Sequence, residues 1–221
     1  MTHFSDGVRA GRNFANNGTA SEPGVFMSPI NVYNVVPAAL VTNGICVQQT
    51  LAAAGNATLN GSLASGGVAT LDVPRNVIID AAGAATAVLT VTGTDVYGIP
   101  MSEAITLNGT TAVAGKKAFK TITSIAASAA ATDFFVGTGD VFGLPIRADS
   151  RNYVQTAWGG AFVTTGTFTA AVTTSPATTT TGDVRGTFAP ADAADASKRL
   201  TLYVFVPDDD TQTGLYGVTQ A

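Results

Sequence analysis

The chain of 221 residues contains one cysteine, one histidine, one tryptophan and two glutamates, and only 12% of it is charged. Each shortage excludes something. A lone cysteine excludes an internal disulfide framework. The one histidine, His3, stands three residues from the start, so any Ser/His/Asp or Cys/His pair and any histidine-rich metal site would depend on it alone. Hydrolase chemistry of that kind is not expected, nor is an enzyme of any class, and no cofactor is implied. With Glu22 and Glu103 as the only glutamates, and alanines set among threonines and glycines, long helices and coiled coils are excluded. Eleven Lys+Arg against fifteen Asp+Glu give a formal net charge of −4, without the basic footprint that nucleic acid requires. No stretch reaches the roughly 18 apolar residues of a membrane span, and Met1–Asp6 lacks the basic and apolar parts of a secretory signal. Neither nucleic acid nor a membrane is expected as a partner.

What is abundant is Thr, Ser, Ala, Asn and 24 glycines, a composition that suits packing against other protein. Residues 1 to about 31 are broken by Gly7, Gly11, Gly18, Pro23, Gly24 and Pro29, and read as an extended N-terminal arm. Its large apolar anchors are few: Phe4, Phe14 and Phe26. Ordering such a segment costs about 1–2 kcal/mol per residue, so these three are the expected contacts with a neighbouring subunit. From residue 32 on, β-branched and aromatic residues come in short runs separated by turn residues. Strands are expected at 32–41, 45–52, 67–73, 76–80, 86–92, 101–107, 119–126, 133–137, 152–157, 161–174 and 200–206. Residues 190–196 could form a helical turn with Pro190 at its first position. The fold class expected is all-β: an antiparallel β-sandwich or jelly-roll-like body over 32–150, with a β subdomain over 151–221 that may share its sandwich. In the last strand Leu200, Leu202 and Val204 alternate with Thr201, Tyr203 and Phe205, so cover is expected on both faces.

Two segments echo each other at a separation of 45 residues. Val91-Thr92-Gly93-Thr94-Asp95-Val96-Tyr97-Gly98-Ile99-Pro100 matches Val136-Gly137-Thr138-Gly139-Asp140-Val141-Phe142-Gly143-Leu144-Pro145. Asp first and Gly fourth suit a type I turn, and the proline two residues on ends ladder pairing. Both segments are expected to be corners of one sandwich.

Several motifs approach a known chemistry and stop short. Gly109–Lys117 has five residues between its glycines, and Lys117 stands where a phosphate-binding loop needs Ser or Thr; it reads as a loop with solvated lysines. Asp208-Asp209-Asp210 lacks further oxygen ligands at the spacing of a calcium loop and reads as a solvated turn. Glu103 has no identifiable carboxylate partner and reads as a strand-surface residue. Cys46, between Ile45 and Val47, reads as a small buried hydrophobe. Trp158, beside Gly159 and Gly160, is either an exposed stacking platform for sugars or a core residue, the latter being the default. The four Asn-x-Ser/Thr triplets, at Asn17, Asn56, Asn60 and Asn108, read as turns.

Taken together, Pro74-Arg75-Asn76-Val77, the two corners, Leu107-Asn108-Gly109, Gly115-Lys116-Lys117-Ala118-Phe119, Asp183-Val184-Arg185-Gly186-Thr187, Lys198-Arg199-Leu200-Thr201-Leu202 and Gly214-Leu215-Tyr216-Gly217-Val218 resemble structural proteins of tailed bacteriophages. The resemblance is to the decoration, or cement, proteins of phage heads and covers about residues 65–221. It implies a virion protein on the outer capsid surface, assembled in the host cytoplasm. Its partner would be the major capsid protein, whose neighbouring subunits it would bridge, typically as a homotrimer. It carries no catalytic residues, cofactor or metal. A tail, adaptor or fibre-base component shares the same composition, and a host-surface carbohydrate-binding module would need Trp158 exposed.

Overall fold

The computed structural model describes residues 30–150, 154–205 and 216–221, together with the backbone of two short strands in the preceding segment. Among these residues there are seventeen strands and no helix. In chain order they are β1 (Arg12–Asn13), β2 (Phe26–Met27), β3 (Ile30–Val35), β4 (Cys46–Leu51), β5 (Gly55–Asn56), β6 (Ala64–Ser65), β7 (Val68–Ala81), β8 (Val88–Thr94), β9 (Pro100–Thr106), β10 (Val113–Ala114), β11 (Phe119–Ala127), β12 (Ala131–Gly143), β13 (Val154–Trp158), β14 (Ala161–Val163), β15 (Thr167–Thr169), β16 (Thr187–Ala189) and β17 (Leu200–Phe205). β1 pairs with β2. The others form an eleven-stranded sheet along the path β15-β16-β12-β7-β11-β8-β9, with β4, β5, β6 and β10 branching from it, and a four-stranded sheet β14-β13-β17-β3. Every pairing is antiparallel. The all-β antiparallel class expected from the sequence is the class observed.

Pro74 explains the main difference from the expected strands. Proline cannot donate to a ladder, so 67–73 and 76–80 read as two strands, yet β7 runs through both. The break is in the pairing: the partners on β11 step from Arg75↔Phe119 to Thr70↔Thr121 across the proline. Before it, β7 pairs with β6; after it, with β12 and β10. The expected strand 161–174 is instead two short ones, β14 and β15. Residues 190–196 form no helical turn; Asp195 gathers the Ser197 and Lys198 amides at 2.9 and 2.8 Å, and Ala196 turns into the left-handed region at φ 63°.

Two cores result. The larger sheet curls around Leu71, Val77, Ile79, Leu89, Val91, Met101, Phe119, Ile122, Ile125, Phe134 and Val136. A second core lies under the four-stranded sheet, where Leu200, Leu202, Val204, Val154 and Trp158 meet Phe142, Leu144, Ile146 and Phe188. Each such large side chain contributes about 1.5–3 kcal/mol on burial. The chain crosses the residue-150 boundary in both sheets: β3 lies beside β17, and β16 beside β12. β17 buries one face. Thr201 and Tyr203 on its other face stay half-exposed, so the cover expected on both sides is present on one among the described residues.

Candidate functional site

The two echo segments each hold a buried arginine. Asp95 closes a turn: its Oδ1 accepts the Tyr97 and Ile99 amides at 2.8 and 2.9 Å, and Gly98 takes φ 78°. Its Oδ2 accepts Arg185 Nη1 at 2.9 Å, and the same guanidinium lies 5.3 Å from the Tyr97 ring centroid. In the second segment Asp140 Oδ1 accepts Arg75 Nη2 at 2.5 Å, and that guanidinium lies 5.2 Å from the Phe142 centroid. Arg75 also donates to the carbonyls of Gly139 and Ala38 and to Asp72. The second segment is no corner, however. Asp140 spends its Oδ2 on the distant Ala194 amide at 3.1 Å, and Val136–Gly143 stays within β12.

Between these units lies a buried polar group that corrects two expectations. Glu103 is buried on β9, not on the sheet surface: its Oε1 accepts the Lys116 amide at 2.5 Å and its Oε2 the Lys117 amide at 3.1 Å. Lys117 is not solvated; it is fully buried, and its ammonium has no hydrogen-bond partner among the described residues. Lys116 is the exposed one of the pair. Asp183 draws the Arg185 amide at 2.9 Å and the Ala118 amide at 3.0 Å. Burial raises the carboxyl pKa of both Glu103 and Asp183 and lowers that of Lys117, against the opposing pull of their charged and amide neighbours. These groups grip main chain. Through these contacts the two carboxylates hold the 116–118 and 183–185 segments in place.

The other singled-out residues fall as follows. Cys46 is buried on β4, where burial pushes its thiol up to about 12 despite the Gln49 side chain. Trp158 is 7% exposed, which removes it as a stacking platform for sugars. Phe4, Phe14 and His3 lie outside the described residues, as do Asp208, Asp209 and Asp210; of Phe26, the backbone belongs to β2 and its side chain is outside the description. Among the described residues no group of three or more His, Cys, Asp or Glu side chains is placed to hold a metal ion, and no helix is long and apolar enough to cross a membrane. Arg75 and Arg185 have no role in the sequence reading beyond the motifs they sit in. Their signal was available only as rarity: basic residues set inside apolar strand and turn segments of a chain that is poor in charge.

What remains open to a partner is apolar surface. On the outer face of the four-stranded sheet the register places Phe162 on β14, Tyr203 on β17 and Ile30 and Val32 on β3 on the same side. Phe162 is 65% exposed and Val32 59%, and the Phe162 and Tyr203 rings lie 5.7 Å apart. A second exposed group, Tyr97, Ile99 and Tyr216, surrounds the Asp95 turn, with the two tyrosine rings 5.0 Å apart edge to face. Comparison with protein families, with curated proteins and with solved structures finds no match to this chain.

Proposed function

We propose that this is a structural virion protein that decorates and cements a phage head by bridging neighbouring major capsid subunits. The observation that carries the reading is the outer face of the four-stranded sheet, where Ile30, Val32 and Phe162 are exposed and Arg199 stands beside Asn34 at one end. Exposed apolar rows of this kind mark protein contacts. The resemblance of the turn motifs to phage decoration proteins points the same way, and so does a chain poor in charge with an N-terminal segment entering this sheet at Ile30. The polar groups that are buried serve the fold: each arginine and carboxylate described above holds a turn or a loop. Such a protein acts by adding contact area, with specific contacts burying about 1,600 Å² each.

The test is the copy number of the protein in purified particles, measured against the major shell subunit of the same preparation. A count comparable to the shell subunit is expected. A handful of copies would move the protein to the tail or portal vertex, and absence from particles would end the virion reading.

A further inference from the structure

Several free edges of the described sheets are protected. β9 begins with Pro100, and its Ser102 and Ala104 amides donate to the carbonyls of Ala221 and Thr179 at 2.5 and 2.8 Å. β14 and β15 have three residues each. β3 is different. It has six residues, pairs with β17 at six consecutive positions without a shift, and faces no other strand among the described residues. Its sequence, Ile-Asn-Val-Tyr-Asn-Val, carries no charge and no proline. Short length, lysine, proline and bulges are the usual means of keeping an edge from pairing, and β3 has none of them.

We propose that β3 pairs antiparallel with β3 of a second copy of this chain, about a two-fold axis at Val32. A row of unpaired amides and carbonyls is matched by an extended strand, and this strand matches itself. With Val32 opposite Val32 of the other copy, Ile30 faces Asn34 and Asn31 faces Tyr33, so apolar and amide side chains meet and no like charges do. Arg199, which donates to Asn34 at 3.2 Å, stands at the ends of the pairing, away from the axis. The two small sheets become one of eight strands, within the usual size. Phe162, Tyr203 and Val32 of one copy then run on into Val32, Tyr203 and Phe162 of the other, which gives the half-exposed face of β17 a continuous apolar surface. The inference stands apart from the shell reading, because the purified chain alone decides it.

The experiment is the solution mass of the full chain by sedimentation or light scattering, with two variants. The expected mass is that of a dimer. Val32→Lys sets two ammonium groups face to face and is expected to weaken the dimer at least about tenfold, while circular dichroism stays as in the parent because the side chain is exposed; the unfolding midpoint falls only as far as the loss of the dimer requires. Val32→Cys is expected to give a disulfide-linked dimer on mild oxidation, and Thr201→Cys, on the next strand, none. Cys46 is buried and stays out of the reaction. A monomer at all concentrations, a trimer, or a dimer indifferent to Val32→Lys would overturn the proposal; a dimer that Val32→Lys breaks but Val32→Cys fails to link would overturn the axis.

Discussion

The segments around Asp95 and Asp140 share Asp-Val-aromatic-Gly-aliphatic-Pro and each has an arginine on the aromatic ring, yet one is a turn and the other is strand. The difference lies in where the carboxylate oxygens go. Asp95 keeps one oxygen for its own Tyr97 and Ile99 amides and gives the other to Arg185; Asp140 gives one to Arg75 and the other to Ala194, and keeps none for itself. The Val141 amide is taken by Asn76, which leans on β12 where Gly139 leaves room: a Cβ there would meet Asn76 Oδ1 at 2.3 Å. A turn motif is therefore a competition between local amides and distant partners, and the distant ones win when they arrive on a long neighbouring strand such as β7. The segments also touch, for the Tyr97 hydroxyl donates to the Pro145 carbonyl at 2.5 Å.

The sharpest way to break the comparison is through the arginines. Arg185→Met strands Asp95, which has no access to water, and is expected to cost about 3–5 kcal/mol in urea unfolding. Arg75→Met leaves Asp140 and Asp72 partly solvated and is expected to cost less, about 2–3 kcal/mol; the reverse order would contradict the account of Asp95 as the more deeply committed carboxylate. Next come the glycines. Gly98→Ala forces a positive φ with open space around it and should cost about 1–2 kcal/mol. Gly143→Ala has no such backbone demand but meets the Ala118 Cβ at 2.6 Å, so Ala118→Gly should rescue it; the same relief is not open to Gly98→Ala. Tyr97→Phe, which makes the first segment like the second, is expected to cost about 0.5–1 kcal/mol, because the lost bond is solvent-exposed.

The smallest effect is a slope. Burial raises the Asp183 carboxyl above its ordinary 3.8, so the folded protein holds that proton to higher pH than the unfolded chain does. Its contribution to stability is complete below about pH 4 and is lost as pH rises through the folded value. Urea midpoints measured from pH 4 upward should carry that fall in the parent, and Asp183→Asn should flatten it even though the variant is less stable at every pH. An unchanged slope would mean that Asp183 ionises in the folded protein as it does in the unfolded one.

How far all this was legible depends on distance along the chain. Strands declared by their own residues, such as Leu200–Phe205, Phe119–Ala127 and Pro100–Thr106, lie where alternation and turn residues put them, and Cys46 is the small buried hydrophobe its neighbours imply. What escaped depends on partners many residues away. Lys117 looks like a loop lysine until the segment around Asp183 and strand β9 close over it. Glu103 looks like a surface residue until two backbone amides need an acceptor. Pro74 marks a change of partners, which a single sequence cannot distinguish from a strand end. The two echo segments are the clearest case, since nothing within them decides between turn and strand. Alternation on β17 suggested cover on both faces, and the molecule supplies cover to one, which is why that face carries the functional reading.

The pairing of β3 with β17 also sets a clock. Asn34 and Arg199 meet across 165 residues of chain, so β3 cannot pair with β17 until Arg199 has left the ribosome, roughly 10–30 s after β3 itself. Through that interval the apolar face of β3 waits unsatisfied while the larger sheet assembles behind it, and contacts of such long range are slow to form even then. Until β17 arrives, the order of synthesis keeps the six uncharged residues of β3 without their partner strand.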